Sequence, residues 1–286
     1  MGGNAKKWLM GCGIGCAGLI VLAVILIAVI AGYVRQEFRG VETAVESHRR
    51  LSDRFGEVES FMPSPRGIIA AERMEKFLIV RESLAPPGAA LETALGEFQS
   101  RISERRERSW RVALDVIMSL GGLISPIGEY IERRNDALLA QEMGLGEYLY
   151  IYSLAYYSWL GNSPEDGPVV TGGRSREGRE RLFGEDSTFG PRALRREYRR
   201  MMRAFLRNME TQASPEKEDN WHLSLERAAA RLEDNLSAVV WEQGLPRHIA
   251  ESLAPYRERL EGTYRPSINC FELPVRDDQD WRRWRR

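Results

Sequence analysis

The sequence predicts an all-α protein in which a single N-terminal transmembrane helix is followed by a multi-helix bundle domain. Three observations lead there. Trp8 to Val34 runs for 27 residues without a charged side chain. At 1.5 Å per residue such a helix reaches about 40 Å, against roughly 30 Å for a bilayer's hydrocarbon core. Beyond it, apolar residues recur at helical spacing in one segment after another. No convincing run of alternating apolar and polar residues, the mark of a half-buried strand, occurs anywhere.

Composition narrows the class further. The 41 basic side chains balance 41 acidic ones in 286 residues, so no global charge points to nucleic acid, an unlikely partner. Only Lys6, Lys7, Lys76 and Lys217 are lysines, a bias toward arginine expected of a GC-rich bacterial genome. Cys12 and Cys16 lie in the apolar segment, which leaves Cys270 without a disulfide partner in the domain.

Residues 1–7 form a short basic tail and 8–34 the transmembrane helix. Lys6 and Lys7 stand before the span and Arg35, Arg39, Arg49 and Arg50 after it, so the positive-inside rule is nearly silent. The short, wholly basic tail favours a cytoplasmic N-terminus with the domain outside. The apolar run is too long for the h-region of a cleaved signal peptide. Gly11 with Gly15, and Ala28 with Gly32, have the small-xxx-small spacing that lets two membrane helices form a homodimer.

Residues 35–160 read as the first helical part of the bundle. Phe38, Val41, Val45, Leu51 and Phe55 predict an amphipathic first helix, stopped by Pro63 and Pro65, with Gly67 suited to a turn of positive φ. A helix from Ala70 to Leu84 ends at Pro86-Pro87-Gly88, and another runs from Ala90 to about Arg106. Trp110 to Met118 continues the period until a break expected at Gly121-Gly122. Pro126 then opens a helix that closes near Gly144. Glu147 to Leu160 is apolar or aromatic all round and too short to span a membrane, which predicts a central helix buried on most faces. A ligand groove lined by Tyr148, Tyr152, Tyr156 and Trp159 is the functional reading of the same stretch.

Residues 161–190 are rich in Gly and Pro and predict a long loop, open to trypsin at its arginines. Residues 191–262 form the second helical part. Pro191 begins a helix to about Met209 with Leu194, Tyr198, Met201, Phe205 and Met209 on one face. The next carries Leu225 to Val240, and Pro246 opens the last, closed by Gly262. Residues 263–286 are read as a C-terminal tail.

Motifs for chemistry are weak. Gly173 to Gly178 matches GxxxxG, but Arg179 and Glu180 stand where a phosphate-binding loop needs Lys and Ser or Thr. His48, His222 and His248 are far apart; Asp219 and His222 make one carboxylate-histidine pair where a di-iron bundle needs two, so no metal site and no cofactor is predicted. Cys270 could meet His222 or His248 only through folding. Arg192, Arg195, Arg196, Arg199, Arg200, Arg203 and Arg207 cover the polar face of one helix and form a candidate anion-binding surface. Trp281, Arg282, Arg283, Trp284, Arg285 and Arg286 combine indoles with guanidinium groups and suit an anionic membrane interface.

The sequence therefore points to a single-pass membrane protein with a non-catalytic interaction or scaffold domain, in contact with the bilayer and a protein partner. An enzyme, a hydrolase or transferase with a pocket near the tyrosine-rich helix, is the alternative. An anion-binding module is a second.

Overall fold

The computed structural model describes residues 42–104, 110–171, 179–181, 187, 189–212, 220–235 and 237–273. The segment 8–34 and the final residues 274–286 lie outside the described residues. No helix among those described is long and apolar enough to cross a membrane.

The described residues form an all-α bundle. Its helices are α1 (42–55), α2 (Ala71–Ser83), α3 (Ala85–Glu104), α4 (Trp110–Ala140), α5 (Leu145–Tyr152), α6 (Pro191–Gln212), α7 (Asn220–Asp234), α8 (Arg247–Leu253) and α9 (Arg257–Thr263). Where an irregular loop was expected, Val169–Thr171 and Arg179–Arg181 pair as a three-residue antiparallel ribbon.

Helix α1 lies along α4. Its buried stripe is Ala44, Ser47 and Leu51, whereas Val45, expected inside, is half exposed. Thr43 donates to Glu132 and Arg50 pairs with Asp136 at 3.2 Å, which sets the register of the two helices. The connector after α1 turns at Gly67, whose φ of +70° matches the expectation. The Gly67 carbonyl accepts from Tyr150 Oη at 2.8 Å, and a Cβ there would stand 2.9 Å from Ile249.

Two expected breaks are absent or shifted. Pro86 and Pro87 sit in the first turn of α3, where the backbone N–H groups have no intrahelical acceptor and proline removes nothing. Helix α4 runs on through Gly121, Gly122 and Pro126 as one 31-residue element. The backbone bond lost at Pro126 would have gone to the Gly122 carbonyl, so the proline costs the helix one internal hydrogen bond without ending it. Helix α7 stops at Asp234 instead of reaching Val240, and the expected last helix is divided by a 3₁₀ turn at Ala254–Tyr256, which contains Pro255.

At the centre, α5 passes into a π-helical turn over Ser153–Trp159. Leu145 and Gly146, and Tyr148 through Ser158, are buried. Residues five apart point about 140° away from each other on an α-helix. The wider π winding brings Tyr152 and Tyr157 round to one acceptor, Asn269 Oδ1, at 2.9 and 2.8 Å. That acceptor belongs to a 3₁₀ turn, Pro266–Phe271, in the stretch read as a tail; Ile268 to Leu273 is core.

Candidate functional site

Two places concentrate charge: a buried cluster at the centre of the bundle and an open groove on α6. The first is built from four elements, α2, α4, α5 with its Tyr148, and the C-terminal segment. Arg81 ends the apolar face of α2, Tyr130 and Arg134 share one face of α4 at i, i+4, and Glu272 follows the C-terminal 3₁₀ turn. Glu272 is 1 % exposed. Its carboxylate pairs with Arg81 and accepts from Tyr130 Oη at 2.5 Å, Tyr148 Oη at 3.0 Å and Arg134 Nη1 at 3.4 Å.

The surroundings complete the arrangement. Arg81 Nη1 also donates to Tyr148 Oη at 2.9 Å and Nη2 to the Thr263 carbonyl at 2.6 Å. Its guanidinium faces the rings of Tyr152 and Tyr156, 5.1 and 5.4 Å from their centroids. Arg81 Nε is buried without a hydrogen-bond partner, and the ring contacts offset part of that cost. Arg134 Nη1 holds the backbone carbonyls of Phe271 and Glu272 at 3.2 and 2.9 Å. Two guanidinium groups thus enclose one carboxylate, and the C-terminal segment is tied to α2 and α4.

Burial alone would raise the Glu272 carboxyl; the charges of Arg81 and Arg134 and the Tyr130 hydrogen bond outweigh it and hold it below the usual range. Burial pushes Tyr130, Tyr148, Tyr152 and Tyr157 up, so their phenols stay protonated. Perturbed groups of this kind often mark an active site when they line a cleft. Here every Glu272 oxygen is occupied from inside the protein, and water has no access. The cluster fastens elements together.

Of the aromatic candidates, Tyr148, Tyr152 and Tyr156 are wholly withdrawn from solvent, so a ligand would have to open the core to touch them. Trp159 is partly exposed and carries Arg257 over its ring at 5.3 Å. A small cleft of about 170 Å3 lies nearby, lined by Tyr157, Ser163, Glu165, Arg195, Tyr198 and Glu242 among others. Arg195 pairs with Glu165 across it. Neither histidine nor cysteine lines it.

The groove on α6, about 300 Å3, is lined by Arg196, Arg199, Arg200, Arg203 and Arg207. Five of the seven expected arginines therefore converge, while Arg195 turns to the cleft and Arg192 lies outside the groove. Arg200 meets Glu197 at 2.5 Å and Glu59 at 3.1 Å, and Arg203 pairs with Glu233 of α7. Arg199 Nε donates to the Leu232 carbonyl at 2.8 Å. The opposite face of α6 buries Leu194, Tyr198, Met201, Phe205 and Met209, which forces the arginines outward.

The remaining candidates stay apart. Cys270 is buried near Gly167, and burial, with the Glu272 carboxylate adding to it, pushes its thiol up. His248 Nε2 lies 2.8 Å from the Arg66 carbonyl, with its ring 5.0 Å from that of Trp221. No group of metal-binding side chains occurs among the described residues. Asp219, the GxxxxG segment and the Trp281–Arg286 cluster lie outside them.

No family model, curated protein or solved structure matches the chain.

The buried cluster escaped the sequence reading. Its signals were single charges inside apolar runs: Arg81 after Leu78-Ile79-Val80, and Glu272 between Phe271 and Leu273.

Proposed function

We propose that this chain is a single-pass, membrane-anchored bacterial protein whose all-α domain is a non-catalytic interaction or scaffold module, with the arginine groove of α6 as its working surface. The reading rests on one observation above others. The most strongly perturbed titratable cluster is closed around Glu272, whose carboxylate oxygens are all engaged from within the protein, so the ionisable core holds the fold together and offers a substrate no free carboxylate. The open groove offers guanidinium groups, whose planar forks of N–H donors hold anions. An enzyme would have to work from the cleft beside Tyr157, whose Glu165 is already paired with Arg195.

The bilayer is the first partner and an envelope protein the second. The N-terminus lies in the cytoplasm and the domain outside. Gly11 and Gly15 place a homodimer contact within the span.

The full chain is expected to stay with membranes after alkaline extraction, and a C-terminal reporter to be active only outside the cytoplasm. Deletion of 1–34 releases a soluble domain with a strongly helical circular dichroism spectrum. A truncated protein that still sediments with salt-washed membranes, or a reporter active only inside, overturns the reading.

A further inference from the structure

Arg196, Arg200, Arg203 and Arg207 stand at i, i+4, i+7 and i+11 and make one stripe about 16 Å long, with Arg199 beside it. Three carboxylates, from Glu59, Glu197 and Glu233, pair with Arg200 and Arg203, so that among the described residues the five guanidinium groups of the groove exceed the carboxylates that meet them by two charges. Arg196 and Arg207 are exposed at the two ends of the stripe, with no ion pair to either among the described residues. Arg200 Nε is buried without a hydrogen-bond partner. Arg199 engages the Leu232 and Glu233 carbonyls and leaves donors toward the groove. Among the described residues the groove therefore gathers more N–H donors than acceptors.

We propose that the α6 groove binds a polyanion carrying two or more phosphoryl groups, an assignment that rests on the reading of this groove as the working surface. A phosphoryl group presents three acceptor oxygens and up to two charges, and guanidinium forks grip it through paired hydrogen bonds that an ammonium cannot reproduce. A carboxylate offers two oxygens and one charge, and three carboxylates already leave the stripe unfilled. Five arginines at neighbouring helical positions are enough to give two phosphoryl groups of such a ligand two forks each.

The test uses the full chain in nanodiscs of phosphatidylcholine, titrated calorimetrically with inorganic tripolyphosphate. Saturable binding is expected, weakening steeply as salt rises. R196S/R203S/R207S should lose at least tenfold in affinity with an unchanged helical spectrum, while R49S/R101S/R247S, three exposed arginines elsewhere, should bind as the parent does. R196K/R203K/R207K separates forks from charge and should also weaken binding; parental affinity in it overturns the phosphoryl assignment. A hexaglutamate peptide that binds as tightly as tripolyphosphate, and is lost in the serine variant, overturns the ligand class while leaving the groove as an interaction surface. Failure of both probes overturns the groove itself. Nanodiscs containing phosphatidylglycerol decide the source: undiminished tripolyphosphate binding supports a soluble ligand, and displacement supports a lipid headgroup.

Discussion

Glu272 is the residue on which the most distant parts of the chain depend. Removing one member of a buried ion pair costs about 3–5 kcal/mol, because the partner's charge remains buried and uncompensated. Here the remaining charges would be Arg81 and Arg134, both less than 5 % exposed. Glu272→Gln keeps the shape and removes the charge, and a loss of about 3–5 kcal/mol is expected in urea unfolding followed by circular dichroism. That is a large share of the 5–15 kcal/mol typical of a folded domain. A loss below about 1 kcal/mol would mean that the two guanidinium groups do not rely on this carboxylate.

At the scale of elements, local rules account for most boundaries and special pairings account for the exceptions. Helix α4 ends in a Schellman arrangement: Met143 N–H donates to the Leu138 carbonyl at 2.9 Å and Glu142 N–H to that of Leu139 at 3.2 Å. Glu142, at φ +52°, occupies the position where glycine is usual. A side chain there costs about 1 kcal/mol, and the exposed Arg54–Glu142 pair at 3.1 Å returns only part of it. Glu142→Gly should raise stability by some tenths to about 1 kcal/mol. A lowered urea midpoint would show that the Arg54 contact outweighs the backbone strain. The π-helical turn follows the same logic in reverse, since irregular winding is held in place by the shared Asn269 acceptor.

For the whole molecule, the titrating core confines stability to a window of pH. The folded Glu272 carboxyl lies below its unfolded value, about 4.3, so its contribution is complete above that value and is lost as pH falls through the lowered one. The buried tyrosines run the other way. Tyr130, Tyr148, Tyr150, Tyr152 and Tyr157 are raised by burial, so above about pH 10 the unfolded chain releases protons first and stability falls as pH rises. Urea midpoints measured from acid to alkaline pH should trace a plateau between about 5 and 9 with both flanks descending. In Glu272→Gln the acid flank should flatten while the alkaline flank remains. An acid flank of parental steepness in that variant would assign the effect to other carboxylates.

The sequence by itself determined the all-α class, the inward face of α6 from Leu194 to Met209, the turn at Gly67 and the buried character of α5, with the arginines of α6 on the outer side. These follow from periodicity and backbone sterics, which act over a few residues and can be read from neighbours along the chain. Continuity of α4 through Gly121 and Gly122, the early end of α7 and the pairing of Val169–Thr171 with Arg179–Arg181 were decided by tertiary packing over local preference. Only the folded chain could bring Arg81 and Glu272 together across 191 positions, or make core of a segment that reads as a tail. A charge is buried where distant partners satisfy it, and no local pattern records who those partners are. The same holds at the surface, where α6 supplied seven arginines but the positions of Glu59, Glu165 and Glu233 settled which five open onto a groove.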